Sequence, residues 1–237
     1  MSREITVDFK NLIDFLKKYS LNNVIGKGEF EEIISSVHKK YFSYLTIVSE
    51  LEALKNDLSI TPNISEEQIK FVKESCSDIG NSFFTLINGS YKPSKLMLRS
   101  SIETFLKGYN LDIYPGITTE KSLYKIFDTL KAHTFYQDEP QKGIFQLIHQ
   151  TYGDLCADTH TATTLNMSHI TSMNYFPKFD IQNANEVRST LIKLVISYIS
   201  LIVLKYNYHY FKMHHRNREN ILNSIPGNIK RKIQGID

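Results

Sequence analysis

Apolar positions along this chain recur at threes and fours, the spacing that puts one face of a helix against a core. Ile5, Val7, Phe9, Leu12, Ile13, Phe15 and Leu16 predict a first helix over 5–19, and the Asn- and Gly-bearing stretch 20–27 breaks it. From Glu29 to Asp57, Phe30, Ile33, Ile34, Val37, Tyr41, Tyr44, Leu45, Val48, Leu51 and Leu54 keep the helical period with no Pro or Gly, which predicts one long helix. Thr61-Pro62 ends that run, and Ser65 with Gln68 three positions later has the form of a capping box opening a helix to about Leu86.

Asn88-Gly89 signals a turn, and Pro93 suits the first turn of the next helix, where its missing amide hydrogen costs nothing. After the breaker Tyr114-Pro115-Gly116, Thr118 or Thr119 can cap a helix carrying Leu123, Ile126, Phe127 and Leu130. Pro140 marks the start of another, running through Phe145, Ile148, Tyr152 and Leu155 toward His160. Residues 161–185 keep no period and read as an irregular loop, long enough to suggest that it covers a site or orders on binding. A central helix from Glu186 to about Tyr210 follows, then a short element from Glu219 that ends before Pro226.

These elements predict an all-α, single-domain bundle of about seven or eight helices spanning 1–237. The composition agrees: 41% hydrophobic and 12% aromatic residues supply a core, while ten Gly and six Pro are too few for a turn-rich β fold. Lys193 and Lys205 confine the most apolar run to Leu194–Leu204, short of the roughly 20 residues that span a bilayer, so a core helix rather than a membrane contact is expected. Cys76 and Cys156 stand far apart, which suggests neither a disulfide framework nor a zinc site. The amino-terminal residues lack a signal-like apolar core, so the cytoplasm is the expected compartment. A net charge of +3 is too mild to imply nucleic acid by itself.

Two polar clusters interrupt the apolar faces. Arg99 and Glu103 stand one helical turn apart between Leu96, Leu98, Ile102 and Phe105, as an exposed ion pair worth about 0.3–0.5 kcal/mol or as a buried pair that needs partners. Asp154 and Asp158 share a face of the helix that also carries Tyr152, and His160 follows at its end. An imidazole there serves either as a structural cap or as an acid–base group near neutral pH. The carboxy-terminal segment 216–237 is basic, with Arg216, Arg218 and Lys230-Arg231-Lys232, and it follows the aromatic run Tyr206 to Phe211. Cations interleaved with rings suit single-stranded nucleic acid, and equally describe a solvated helix end. His209 and His214 are five apart, off the spacing that puts two ligands on one helix face, so no metal is expected. No phosphate-binding glycine loop is present, and no cofactor is expected.

The segments Leu96-Met-Leu-Arg99-Ser-Ser-Ile-Glu103 and Tyr152-Gly-Asp-Leu-Cys-Ala-Asp-Thr-His160 resemble paired signatures of HEPN-like helical proteins. The resemblance implies an α-helical bundle, often dimeric, whose catalytic members are metal-independent endoribonucleases of toxin, abortive-infection and other defence systems. It implies RNA as ligand, with a protein partner or a second copy alongside. Under it His160 is the general acid or base, Arg99 the cation at the phosphate, and Glu103 the residue that orients Arg99. Tyr152, Asp154 and Asp158 line the site. The family's catalytic Arg precedes its His closely on one helix, whereas this chain has Gly153, Asp154 and Leu155 there, so Arg99 would supply the cation from another helix. The alternative is a non-catalytic adaptor or subunit whose long helices bind a partner protein.

Overall fold

The computed structural model describes residues 3–17, 28–55, 57, 59–159 and 178–235, and among these every long element is a helix. In chain order they are α1 (Arg3–Lys17), α2 (Gly28–Leu54), α3 (Glu66–Ile87), α4 (Tyr91–Tyr109), α5 (Leu123–Lys131), α6 (Gln141–Thr159), α7 (Ile181–Lys205), α8 (Asn207–Lys212), α9 (His215–Leu222) and α10 (Gly227–Gln234). A 3-10 turn, Thr134–Tyr136, precedes α6. The described residues thus hold ten α-helices where the sequence pattern suggested seven or eight. The excess comes from the carboxy-terminal third, where the expected last long helix breaks after Lys205 at Tyr206 (φ −107°, ψ 44°) and a tenth helix follows Pro226. Ile229 and Ile233 bury one face of α10, but two apolar residues amid Lys230, Arg231 and Lys232 are too sparse a stripe to read.

The caps show which local signals were decisive. Ser65 accepts from the Gln68 amide (3.1 Å) while the Gln68 side chain accepts from the Ser65 amide (2.9 Å), the reciprocal box the spacing suggested. Gln68 then reaches further, donating to Asp112 and to the Tyr206 hydroxyl at 3.2 Å each, so the start of α3 is tied to the ends of α4 and α7. At Gly89 the backbone has φ +73°, and any side chain there would collide with the carbonyl of Lys178. The turn from α3 into α4 therefore serves a second purpose, seating the strand of chain that enters α7.

Two expectations are corrected. Ser122, not Thr118 or Thr119, caps α5 by accepting from the Lys125 amide, while Thr119 donates to the Gly116 carbonyl within the preceding turn. The irregular stretch 161–185 is helical from Ile181, because the Asp180 carboxylate accepts from the Asn183 amide and nucleates α7 well before its apolar run. Residues 161–177 lie outside the described residues.

Helix α7 is the axis of the fold. Leu191, Leu194, Val195, Tyr198, Ile199, Leu201 and Val203 are fully buried, and α2, α3, α4, α6 and α10 all pack on it. It is long and apolar enough to cross a membrane by length and composition alone, and 61% of its most apolar window is buried inside the bundle. At its centre Tyr198 stacks on Phe105 with ring centroids 4.0 Å apart, and its hydroxyl meets Ser101 at 3.1 Å. Ser75 donates to the Ser101 carbonyl and accepts from Tyr44, so a buried polar chain joins α2, α3, α4 and α7. Buried hydroxyls lacking such partners would be costly; Tyr44, Ser75, Ser101 and Tyr198 each have one.

Candidate functional site

Helices α4 and α6 lie side by side, and the charges on α4 recur every fourth residue: Lys95, Arg99, Glu103, Lys107. This spacing lines them along one face, and that face meets α6. Arg99 is held in the seam by uncharged groups. Its Nε donates to the Cys156 sulfur at 3.3 Å, its Nη2 donates to the Tyr152 hydroxyl at 3.2 Å, and its guanidinium carbon lies 5.4 Å from the centre of the Tyr152 ring. The Cys156 hydrogen bond, followed by that of Tyr152, pushes the already high Arg99 pKa higher. Burial raises the Tyr152 phenol to about 12, so it stays protonated at neutral pH.

Glu103 does not orient Arg99, contrary to the expectation from the paired segments. It accepts from Lys107 at 2.9 Å instead. A Glu four residues before a Lys is the better-oriented helix pair, and Arg99 before Glu103 is the poorer one. Asp154 is exposed and has no ion pair among the described residues, so it stands outside any buried cluster. Asp158 bonds the Lys95 ammonium at 2.8 Å, and Glu186 of α7 bonds the same ammonium at 2.6 Å. Lys95, only 14% exposed at its side chain, thereby fastens α6 and α7 to α4 one turn before Arg99. His160 lies outside the described residues; α6 is described to its last residue, Thr159.

Arg99 is consequently a cation with no carboxylate bonded to it among the described residues. Next to it is an aromatic wall. Tyr124, 57% exposed, stands edge-on to Tyr152 at 5.8 Å, while Phe127 packs on Tyr152 at 5.7 Å and stacks on His149 at 4.2 Å. Lys95, Tyr124 and Glu186 were absent from the sequence-based site. The four-residue repeat of charge on α4 contained a signal for Lys95, whereas Tyr124 and Glu186 reach the seam only through tertiary packing.

Three cations of the basic segment are held by the fold. Arg216 pairs with Glu4 of α1 at 3.5 Å, Arg218 donates to the Phe211 carbonyl at 3.3 Å, and Lys232 donates to the Glu139 carbonyl at 2.8 Å. Arg216 and Arg218 belong to α9, which packs on α2, so they are not seam residues. Tyr208 and Phe211 of α8 expose 64% and 49% of their surface. His209 is fully buried with neither ring nitrogen partnered among the described residues, and burial pulls its pKa down. Among the described residues no three His, Cys, Asp or Glu side chains converge as a metal-binding set. Comparison with protein-family models, with curated proteins and with solved structures finds no match to this chain.

Proposed function

We propose that this chain is a HEPN-like helical protein of a bacterial or phage-related defence or toxin system, acting in the cytoplasm, and that it binds RNA at the α4–α6 seam. The observation that carries this reading is the state of Arg99: a guanidinium fixed by a phenol and a thiol, its charge bonded to no carboxylate among the described residues, over the ring of Tyr152, against which the exposed ring of Tyr124 stands. A guanidinium so held can meet a phosphate in its bidentate fork, and an exposed ring can stack on a neighbouring base. In the cleaving version His160 supplies the general acid or base, and Arg99 stabilises the charge that develops at the phosphate. Metal does not enter this chemistry.

The test is binding of a single-stranded RNA by the intact chain, with Arg99→Met beside it. Arg99→Met is expected to lower affinity about 10- to 100-fold, the range for losing a charge-assisted hydrogen bond, and to reduce the salt dependence by about one phosphate contact. The same samples incubated with total RNA, with His160→Ala as the comparison, report cleavage. Unchanged RNA affinity in a folded Arg99→Met protein would remove the seam from the account, and equal background cleavage by wild type and His160→Ala would remove catalysis.

A further inference from the structure

Helix α8 is split between core and solvent. His209 and Tyr210 are buried, and Met213 just beyond the helix is buried with them, while Tyr208, Phe211 and Lys212 are left exposed. These three stand at i, i+3 and i+4, which gathers them on one outward strip. A lone exposed ring is ordinary on a protein surface. Two rings on one strip, about 4.5 Å apart along the helix axis at 1.5 Å per residue, form a pattern that the core does not use.

Two cations beside these rings are bonded to no carboxylate among the described residues. Lys212 is exposed and bonds nothing there. Asp57 is held below the usual carboxylate range chiefly by the Ser59 hydroxyl and amide that bond it, and to a smaller extent by the Lys212 charge. Arg218 reaches back from α9 to the end of α8, where its Nη1 donates to the Phe211 carbonyl at 3.3 Å. That bond uses one of the five N–H groups of the guanidinium and fixes its charge next to the exposed ring. His214 and His215 continue the exposed surface with their rings 4.5 Å apart. Arg216 stands outside the set, since Glu4 answers its charge.

We infer that the outer face of α8, with Arg218 of α9, binds a single strand of nucleic acid without sequence preference, its bases stacking on Tyr208 and Phe211 and its phosphates lying at Lys212 and Arg218. Every base offers a ring face and every linkage a negative charge, so exposed rings beside unpaired cations match a single strand on both counts. A lipid surface is the poorer match. Tyr208 and Phe211 are the large exposed apolar side chains of residues 206–222, and two rings with no aliphatic neighbour offer little area to bury among acyl chains. These residues lie on helices other than those of the α4–α6 seam, so binding here extends the RNA reading to a second surface and does not require Arg99.

The experiment titrates the intact chain with a short oligouridylate carrying one 5-iodouridine, irradiates the complex and maps the crosslinked peptides by mass spectrometry. Crosslinks are expected at Tyr208 or Phe211, in wild type and in Arg99→Met alike. In the Arg99→Met background, which silences the seam, Tyr208→Ala and Phe211→Ala should each weaken binding about 5- to 100-fold, the range for one lost base stack. Both positions face solvent, so the core is left intact. Lys212→Gln should lower the salt dependence by about one phosphate contact. An abasic strand of the same length should bind more weakly than the oligouridylate and equally to both alanine variants. Absence of crosslinks on α8, equal affinity for the two strands, or unchanged binding by the alanine variants overturns the second surface; none of these touches the protection of Cys156 that reports the seam. Capture by phosphatidylserine vesicles that the alanine variants abolish would overturn it too, giving the face to a lipid surface. Crosslinks on α8 together with no effect of Arg99→Met on affinity would instead remove the seam and keep this surface.

Discussion

Tyr198→Ala is expected to lower the unfolding free energy by about 3–5 kcal/mol, the range for deleting a fully buried aromatic side chain. Tyr198 is completely buried on the central helix, stacks on Phe105 at 4.0 Å and packs against Tyr44 at 5.7 Å. Removing it opens a cavity where α2, α4 and α7 meet, and it takes away one of the two hydrogen bonds of the Ser101 hydroxyl, which keeps only the Leu98 carbonyl. Tyr198→Phe keeps the stacking and loses only the hydrogen bond, so its cost should be about 0.5–1.5 kcal/mol. Urea unfolding of both variants measures the difference. Near-equal losses would show that the hydroxyl chain, and not ring packing, dominates this layer.

Asp112→Ala should cost about 2–3 kcal/mol, because it leaves the Lys205 ammonium buried without its counter-charge. Breaking a fully buried pair costs about 3–5 kcal/mol, and the figure is reduced here because the Asp112 side chain is 36% exposed. Lys205 is 8% exposed, bonds Asp112 and the Tyr109 carbonyl, and sits 4.6 Å from the Tyr109 ring and 5.4 Å from that of Tyr206. Burial pulls the Lys205 pKa below its usual value, and Asp112 opposes that shift. Lys205→Met removes the charge and keeps an apolar chain between the two rings, so it should be milder than Asp112→Ala.

The pH dependence has a definite sign. A folded-state lysine pKa below the unfolded value means that the unfolded chain holds the extra proton between the two, so stability rises with pH through that window. Without Asp112 the Lys205 pKa drops further, and the deficit of Asp112→Ala should narrow as pH is raised from 7 toward 10. Unfolding curves across that range check it; a deficit that is constant or grows contradicts the assignment to a buried ammonium.

Much of the helical frame was legible because its punctuation is local. Ser65 with Gln68, Asn88-Gly89, Pro93 and Pro140 each act within one turn of chain, and α3, α4 and α6 begin or end where those residues stand. The start of α7 was not legible, since Asp180 caps a first turn, Ile181-Gln-Asn-Ala-Asn, that carries almost no apolar period. The site was legible only in part. Arg99 and Tyr152 do meet, yet the choice of Glu103 between Arg99 and Lys107 depends on side-chain orientation, and both partners stand at the same separation. The Asp8–His38 pair joins residues 30 apart, and nothing in the period of α1 or α2 announces it.

The claim that RNA occupies the α4–α6 seam is tested most directly at Cys156, whose sulfur accepts from Arg99 and which is partly exposed, while Cys76 is buried in the core and serves as an internal reference. Alkylation of each thiol by iodoacetamide is followed by mass spectrometry with and without saturating single-stranded RNA. The account requires RNA to slow Cys156 alkylation in wild type, to leave Cys76 unaffected, and to lose its protective effect in Arg99→Met at the same RNA concentration. RNA that binds the protein while Cys156 reacts at its unprotected rate would contradict it.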